Sequence, residues 1–374
     1  MSEPMRVLHV LGCLNREGAE TMIMNLYRNI NRTEIQFDFI VHVTDKCDYD
    51  DEILEMGGRI YRIPHFCGKN YFQYKKAWSM FFESHPEYKI IHGHLRSTAS
   101  IYLSIAKKYG RITIAHSHST SSRGNMPEQF IKNILQLPIR HIADYLFACS
   151  DEAGKWLFGE KSIKANNYKV IKNAINIEKY AFDEDKRNKM RKDLNIQNKF
   201  GVGHVGSFTP PKNHKFLIEI FYEICRKNEN ALLLLIGDGE LRMQIEKQIE
   251  ALLVQDKIIL TGIVSNVNDY MQAMDVLVFP SIFEGLPLAI VEAQASGLPC
   301  IISDAITDEV RITSKIRAVS LSKRADEWAD IAISVKTTER ANVKHIIEKS
   351  GFDIRDTVEK LSLFYESIER KENL

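Results

Sequence analysis

Residues 275–292 read Asp-Val-Leu-Val-Phe-Pro-Ser-Ile-Phe-Glu-Gly-Leu-Pro-Leu-Ala-Ile-Val-Glu. The run 276–279 is apolar without alternation and stops at Pro280, as in a strand covered on both faces. Proline returns at 287, where its fixed φ and missing N–H suit the first turn of a helix. The loop between holds Glu284 and Gly285. A buried strand that passes through such a loop into a helix is a unit of a parallel α/β sheet, and open sheets of this class bind ligands at the carboxyl ends of their strands. The expected helix start, Gly285-Leu286-Pro287-Leu288, offers N–H groups and a positive dipole end to a diphosphate. Glu292 follows about 7 Å further along the helix axis. One ligand can therefore touch both acids. The distal carboxylate would accept two ribose hydroxyls, and the proximal one whatever the phosphate carries, because an ionised Glu only accepts hydrogen bonds. Either Glu alone reads as a surface or capping acid. The order strand–Glu–Gly–helix–Glu is what points to a ligand.

Similar apolar runs occur at 6–11, 37–42, 89–92, 112–115 and 145–149, and again at 201–205, 231–236, 257–260 and 300–303. Amphipathic stretches of helical length separate many of them, which gives a doubly wound α/β pattern repeated twice. The 374 residues exceed one hydrophobic core. A break near 170–185 divides them into expected domains 1–177 and 178–352. The run 183–189 is charged and reads as an exposed helix start, and 352–370 carries Val358, Leu361, Leu363, Phe364 and Ile368 as the stripe of an amphipathic terminal helix.

Composition excludes several classes. With 44% hydrophobic and 26% charged residues the chain is neither disordered nor collagen-like. A net charge of +1 supplies no global field for nucleic acid, so no nucleic-acid partner is expected. No apolar run reaches the length of a bilayer span, and the N-terminal stretch reads as a first strand rather than a signal peptide. Six cysteines without a CxxC pair read as reduced, mostly buried thiols, so a cytoplasmic location is expected. Charge is unevenly placed. Between Arg59 and Arg123 eleven basic residues face only Glu83 and Glu87, with Tyr71, Phe72, Tyr74, Trp78, Phe81 and Phe82 interleaved. Such a face suits the core of a helix with solvated lysines, and also an anionic membrane surface.

The stretch 283–287, Phe-Glu-Gly-Leu-Pro, with Glu292 eight positions after Glu284, resembles the Glu-x7-Glu signature of the retaining GT-B glycosyltransferases of family 4. Residues 12–20 are similar to that family's first-strand loop, and 115–120 (Ala-His-Ser-His-Ser-Thr) to the loop that holds its histidine. Residues 206–214, 235–242 and 260–262 are similar to its nucleotide-binding turns. The resemblance covers essentially the whole chain, and is nearest to transferases of capsule and exopolysaccharide synthesis.

It implies a GT-B fold: two Rossmann-like doubly wound domains facing a central cleft, an acceptor domain 1–177 with 353–374 crossing back onto it, and a donor domain 178–352. It implies transfer of a hexose or N-acetylhexosamine from a nucleotide-sugar, with UDP favoured over GDP, to a saccharide or polyprenyl-linked acceptor. Catalytic roles fall to Glu284, Lys212 and His118, with His116 as the rival histidine. Donor contacts fall to Gly18, Gly206, Ser207, Lys212, Gly237, Gly239, Gly285, Leu286, Pro287, Leu288 and Glu292. Two positions depart from the family wording: Ser207 stands in place of an Arg, and Glu17 in place of a Gly, removing a cation near the diphosphate and limiting backbone freedom. No metal or other cofactor is expected. His92 and His94, with His116 and His118, read as hydrogen-bonded strand-end loops, and Asp48-Tyr49-Asp50 as a solvated loop. The chain would work on the inner face of the cell membrane as a peripheral protein. A nucleotide-sugar epimerase of the same fold is the alternative. A phosphorylase would need a cofactor lysine, and a periplasmic binding protein a secretion signal.

Overall fold

The computed structural model describes residues 3–119, 133–335, 340 and 343–372. Among them are two all-parallel sheets. The first contains β1 (Met5–Val10), β2 (Ile35–Val41), β3 (Ile60–Arg62), β4 (Ile90–Gly93), β5 (Ile112–Ser117), β6 (Tyr145–Ala148) and β7 (Tyr168–Val170). The second contains β8 (Phe200–Val205), β9 (Ala231–Ile236), β10 (Ile258–Gly262), β11 (Val276–Phe279), β12 (Cys300–Ser303) and β13 (Ile316–Val319). Their orders are β3-β2-β1-β4-β5-β6-β7 and β10-β9-β8-β11-β12-β13. Both sheets are doubly wound, with switch points between β1 and β4 and between β8 and β11. Successive residues of a strand feed opposite cores. Val7 packs with Phe37 and Phe147 while Leu8 packs with Trp78 and Tyr102. Leu234 packs with Ile290 while Leu233 packs with Phe221 and Trp328. Strands buried on both faces explain the unbroken apolar runs.

The edge strands β3, β7 and β13 carry exposed residues. With one flank open they lack a continuous apolar signature, and a sequence reading passes over β3 and β13.

The chain forms two compact units, Met1–Ala174 with Ile354–Leu374, and Ile175–Asp353. The terminal helix Ile354–Glu372 belongs to the first unit: Ile354, Leu361, Phe364, Tyr365 and Ile368 share a core with Phe37, Ile114 and Phe147. Leu363, expected on that stripe, is exposed instead, because it falls one position before the buried Phe364 on a helix of 3.6-residue period. Phe352 lies in the core of the second unit, not the first.

Three charge readings are corrected. Within 183–189, Asp183 caps the helix Glu184–Asp193 by accepting from the Lys186 N–H, but Arg187 turns inward and pairs with Asp275, as does the buried Arg191. In the 48–50 loop Asp48 is exposed, whereas Asp50 is buried and pairs with Arg62 at 2.7 Å. The basic stretch is also less one-sided than its sequence: Arg62 meets Asp50, and Lys107 meets Asp144 at 2.7 Å, both acids lying outside it. Arg123 lies outside the described residues. The six cysteines are free, with Cys67 exposed, Cys13 half-buried and the others buried.

Candidate functional site

In the second unit the loops after β8, β9 and β11 meet beside the switch point. The Gly206 N–H donates to Ile236 O at 3.0 Å, tying the β8 loop to the end of β9. Gly237, at φ +138°, passes so close that a Cβ there would stand 2.0 Å from Gly206 O. A Cβ on Gly239 would stand 2.7 Å from Phe208 O. Packing of one loop against another thus already requires both glycines. Ser207 is exposed at the bend, with its Oγ 3.5 Å from Thr209 Oγ1.

Lys212 ends a short turn, Pro210–Lys212, and Asn213 at φ 55° starts the helix His214–Lys227. Asn213 Nδ2 donates to Pro280 O at 3.1 Å, and the Ile282 N–H donates to Pro211 O at 2.8 Å. These bonds hold the β8 and β11 loops together and bring Lys212 Nζ to 2.8 Å from Glu284 Oε1 and 4.8 Å from the centre of the Phe279 ring. Both charged side chains are mostly buried, 17% and 12% exposed. Glu284 Oε1 takes no hydrogen bond, so the pair is a charge contact with poor hydrogen-bond geometry. The lysine's donors are therefore not committed to the carboxylate.

Pro287 sits at the N-cap of the helix Leu288–Ala295, and no side chain caps that end. The amides around Gly285, Leu286 and Leu288 thus frame an uncapped helix start beside Lys212 and Glu284. On the same helix Glu292 accepts a hydrogen bond from Tyr180 OH at 2.7 Å. Tyr180 comes from the short helix Ile177–Tyr180, and no sequence motif marks it. Burial pushes the Glu292 carboxyl above its ordinary value, against the Tyr180 hydrogen bond and the Lys179 charge. Glu292 in the folded chain then keeps its proton to higher pH than in the unfolded chain, so stability falls as pH rises from about 4.5 through the folded value. Glu292→Gln should remove that fall, so the variant's melting temperature should gain on the wild type as pH rises from about 4.5. The family resemblance gives Glu292 the donor's ribose, and on that expectation the same substitution should weaken UDP binding by roughly 5- to 150-fold, the worth of ~1–3 kcal/mol for unpaired hydroxyls. Calorimetry and thermal melts check both, and unchanged UDP affinity would remove Glu292 from the donor site.

His204 and His214, which sequence reading passed over, lie buried near Lys212. His204 Nδ1 donates to Val278 O at 2.9 Å, and both nitrogens of His214 are without a partner. Burial, aided by the other histidine and by Lys212, takes His204 well below its ordinary value; burial and Lys212 take His214 down to about 4. Neutral imidazoles there add no positive charge to that of Lys212.

In the first unit Gly18 starts the helix Gly18–Asn29, and a Cβ there would meet nothing within 4 Å. Packing does not require glycine at this position. Glu17, its N-cap, has ordinary extended backbone (φ −100°, ψ 178°), so its side chain costs the turn nothing, contrary to the expected restriction. The four strand-end histidines, expected as two separate pairs, join His9 of β1 in one cluster. His9 Nδ1 lies 2.9 Å from His94 Nε2, and His94 Nδ1 lies 2.8 Å from His118 Nε2. His116 Nδ1 lies 3.1 Å from His92 Nε2, and His92 Nδ1 lies 2.6 Å from Tyr365 OH. His116, in β5, and His118, just past its end, stack with ring centres 4.1 Å apart.

The model for Glycosyltransferase Family 4 matches residues 16–179, and that for Glycosyl transferases group 1 matches residues 185–349. EpsF of Bacillus subtilis (strain 168), which is named as a glycosyltransferase, is 32% identical, with 97% of each chain covered. The chain belongs to the GT-B glycosyltransferases. A second relative, the UDP-Gal:alpha-D-GlcNAc-diphosphoundecaprenol alpha-1,3-galactosyltransferase of Escherichia coli, is 24% identical over 75% of each chain. Among solved structures, Anabaena Alr3699/HepE in complex with UDP and glucose has a TM-score of 0.79 at 18% identity, covering 97% of this chain and 100% of that one. This likeness shows the GT-B fold. The relatives named here are transferases, and none is an epimerase. No helix among the described residues is long and apolar enough to cross a membrane.

Proposed function

We propose that the chain is a retaining glycosyltransferase that moves a hexose or N-acetylhexosamine from a UDP-sugar to a saccharide or polyprenyl-linked acceptor in surface polysaccharide synthesis. The observation that carries this reading is the Lys212–Glu284 pair, held at the carboxyl ends of β8 and β11 beside an uncapped helix start. The donor's C1–O bond breaks and its electrons pass to the diphosphate, whose charge Lys212 and the amides near Leu288 stabilise. The acceptor oxygen bonds C1 on the face the diphosphate leaves, and its proton passes to the departing phosphate. Glu284 accepts from sugar hydroxyls and Glu292 from the ribose. Gly206 and Ser207 line the diphosphate, and Gly237 and Gly239 shape the neighbouring turn. In the first unit Gly18 and His118 keep the roles that the family gives the matching positions. The transfer itself needs no metal or other cofactor. UDP and a lipid-linked acceptor are supported by the Escherichia coli relative, whose name carries both.

The test offers UDP- and GDP-sugars with and without a polyprenyl-diphosphate-linked sugar, and follows the product by NMR. Acceptor-dependent UDP release with an α-linked product from an α-donor is the expected result. Sugar interconversion without acceptor would replace the reading with the epimerase, and a β-linked product would end the retaining mechanism.

The same reading places the chain at an anionic membrane on the cytoplasmic side. On the helix Tyr71–Ser84, Tyr74, Trp78 and Phe82 are core residues, whereas Phe72 is 84% exposed and Met80 55% exposed, with Lys76 exposed between them. Binding to phosphatidylglycerol vesicles should be strong at low salt, fade as salt rises, and weaken on Lys75→Glu with Lys76→Glu. Equal pelleting with neutral vesicles would rule this out.

A further inference from the structure

We propose that His94, His116 and His118 form a binding site for Zn²⁺ in the first unit. Each offers one ring nitrogen, and the three nitrogens lie within 4.8 Å of one another. At a Zn–N length of about 2.0–2.1 Å, a tetrahedral ion holds its nitrogens about 3.3–3.4 Å apart, so small ring rotations close the set. His94 and His118 are half-buried and His116 is buried.

The hydrogen bonds behind the trio have the form of a metal ligand's supporting shell. His116 engages His92 through Nδ1, and His92 in turn meets Tyr365 OH, while Nε2 of His116 is buried without a partner. His94 engages His9 through Nε2, and its Nδ1 faces His118. Nδ1 of His118 also has no partner. An ion held by His94 Nδ1, His116 Nε2 and His118 Nε2 fixes His116 Nδ1–H and His94 Nε2–H as donors to His92 and His9.

The chemistry of the set selects the ion. Three imidazoles with no carboxylate suit Zn²⁺ and offer nothing to Mg²⁺ or Ca²⁺, which take oxygen ligands. Three protein ligands leave a fourth position for water.

The full chain is stripped with chelator, loaded with excess Zn²⁺, desalted and analysed for metal. About one Zn²⁺ per chain should remain, Zn²⁺ should raise the melting temperature, and Co²⁺ in its place should give visible ligand-field absorption of a four-coordinate site. His94→Ala with His116→Ala should lose the retained metal, the thermal shift and the Co²⁺ bands. His118→Asn, at a half-buried position, serves as the second variant should the double one fail to fold, and should lose the Co²⁺ bands. Substoichiometric zinc in the wild type overturns the proposal. Undiminished zinc in a folded variant also overturns it, by assigning the metal to other residues such as the free thiols. These readouts do not involve sugar transfer, so they stand apart from the test of the proposed function.

Discussion

Replacing Lys212 by Ala should slow transfer by about 10²–10³-fold at saturating donor, the usual cost of losing one preorganised group that stabilises developing charge. The substitution should also lower stability by ~1–3 kcal/mol, because Glu284, only 12% exposed, loses the cation 2.8 Å from its carboxylate. A second substitution separates the two effects. Lys212→Ala with Glu284→Gln leaves no buried charge without a partner, so the urea midpoint should return toward the wild type while kcat stays low. Recovery of kcat in the double variant would reduce the pair to a structural contact. A wild-type kcat in Lys212→Ala alone would remove the lysine from the donor site.

Truncation before Ile354 should unfold the first unit while leaving the second standing. Ile354, Leu361, Phe364, Tyr365 and Ile368 complete a core that includes Phe37, Ile114 and Phe147, and Tyr365 OH also meets His92 at 2.6 Å. Cutting after Asp353 keeps Phe352 in the second unit, where it packs with Ile347. The melt of the truncated chain should therefore lose one transition and keep the other. Tyr365→Ala should cost ~3–5 kcal/mol by itself, and Tyr365→Phe about 1 kcal/mol for the hydrogen bond. A truncated chain with the wild-type melting curve would mean that the helix is not part of that core.

Local chemistry made much of this molecule legible in its sequence. Runs such as 231–236 and 276–279 are apolar throughout because both faces of their strands are covered, which any parallel sheet demands. Pro280, Gly285 and Pro287 punctuate the β11 loop within a few residues, so the strand, the loop and the helix start could all be placed. What covered strands reveal, edges hide: β3 and β13 have open flanks and left no comparable mark.

The sequence by itself thus determined two doubly wound α/β halves and the loops that carry Lys212, Glu284 and Glu292, since these depend on neighbours a few positions away. Tertiary structure alone decided which side chains meet. Tyr180 reaches Glu292 across 112 positions, and Tyr365 reaches His92 across 273. Arg187 and Arg191 look like solvated helix charges until β11 brings Asp275 beside them. His9, His92, His94, His116 and His118 become one cluster only because β1, β4 and β5 are adjacent in the sheet. Strand order follows from how crossovers bury both faces of a sheet, and the spacing of residues along the chain does not encode it.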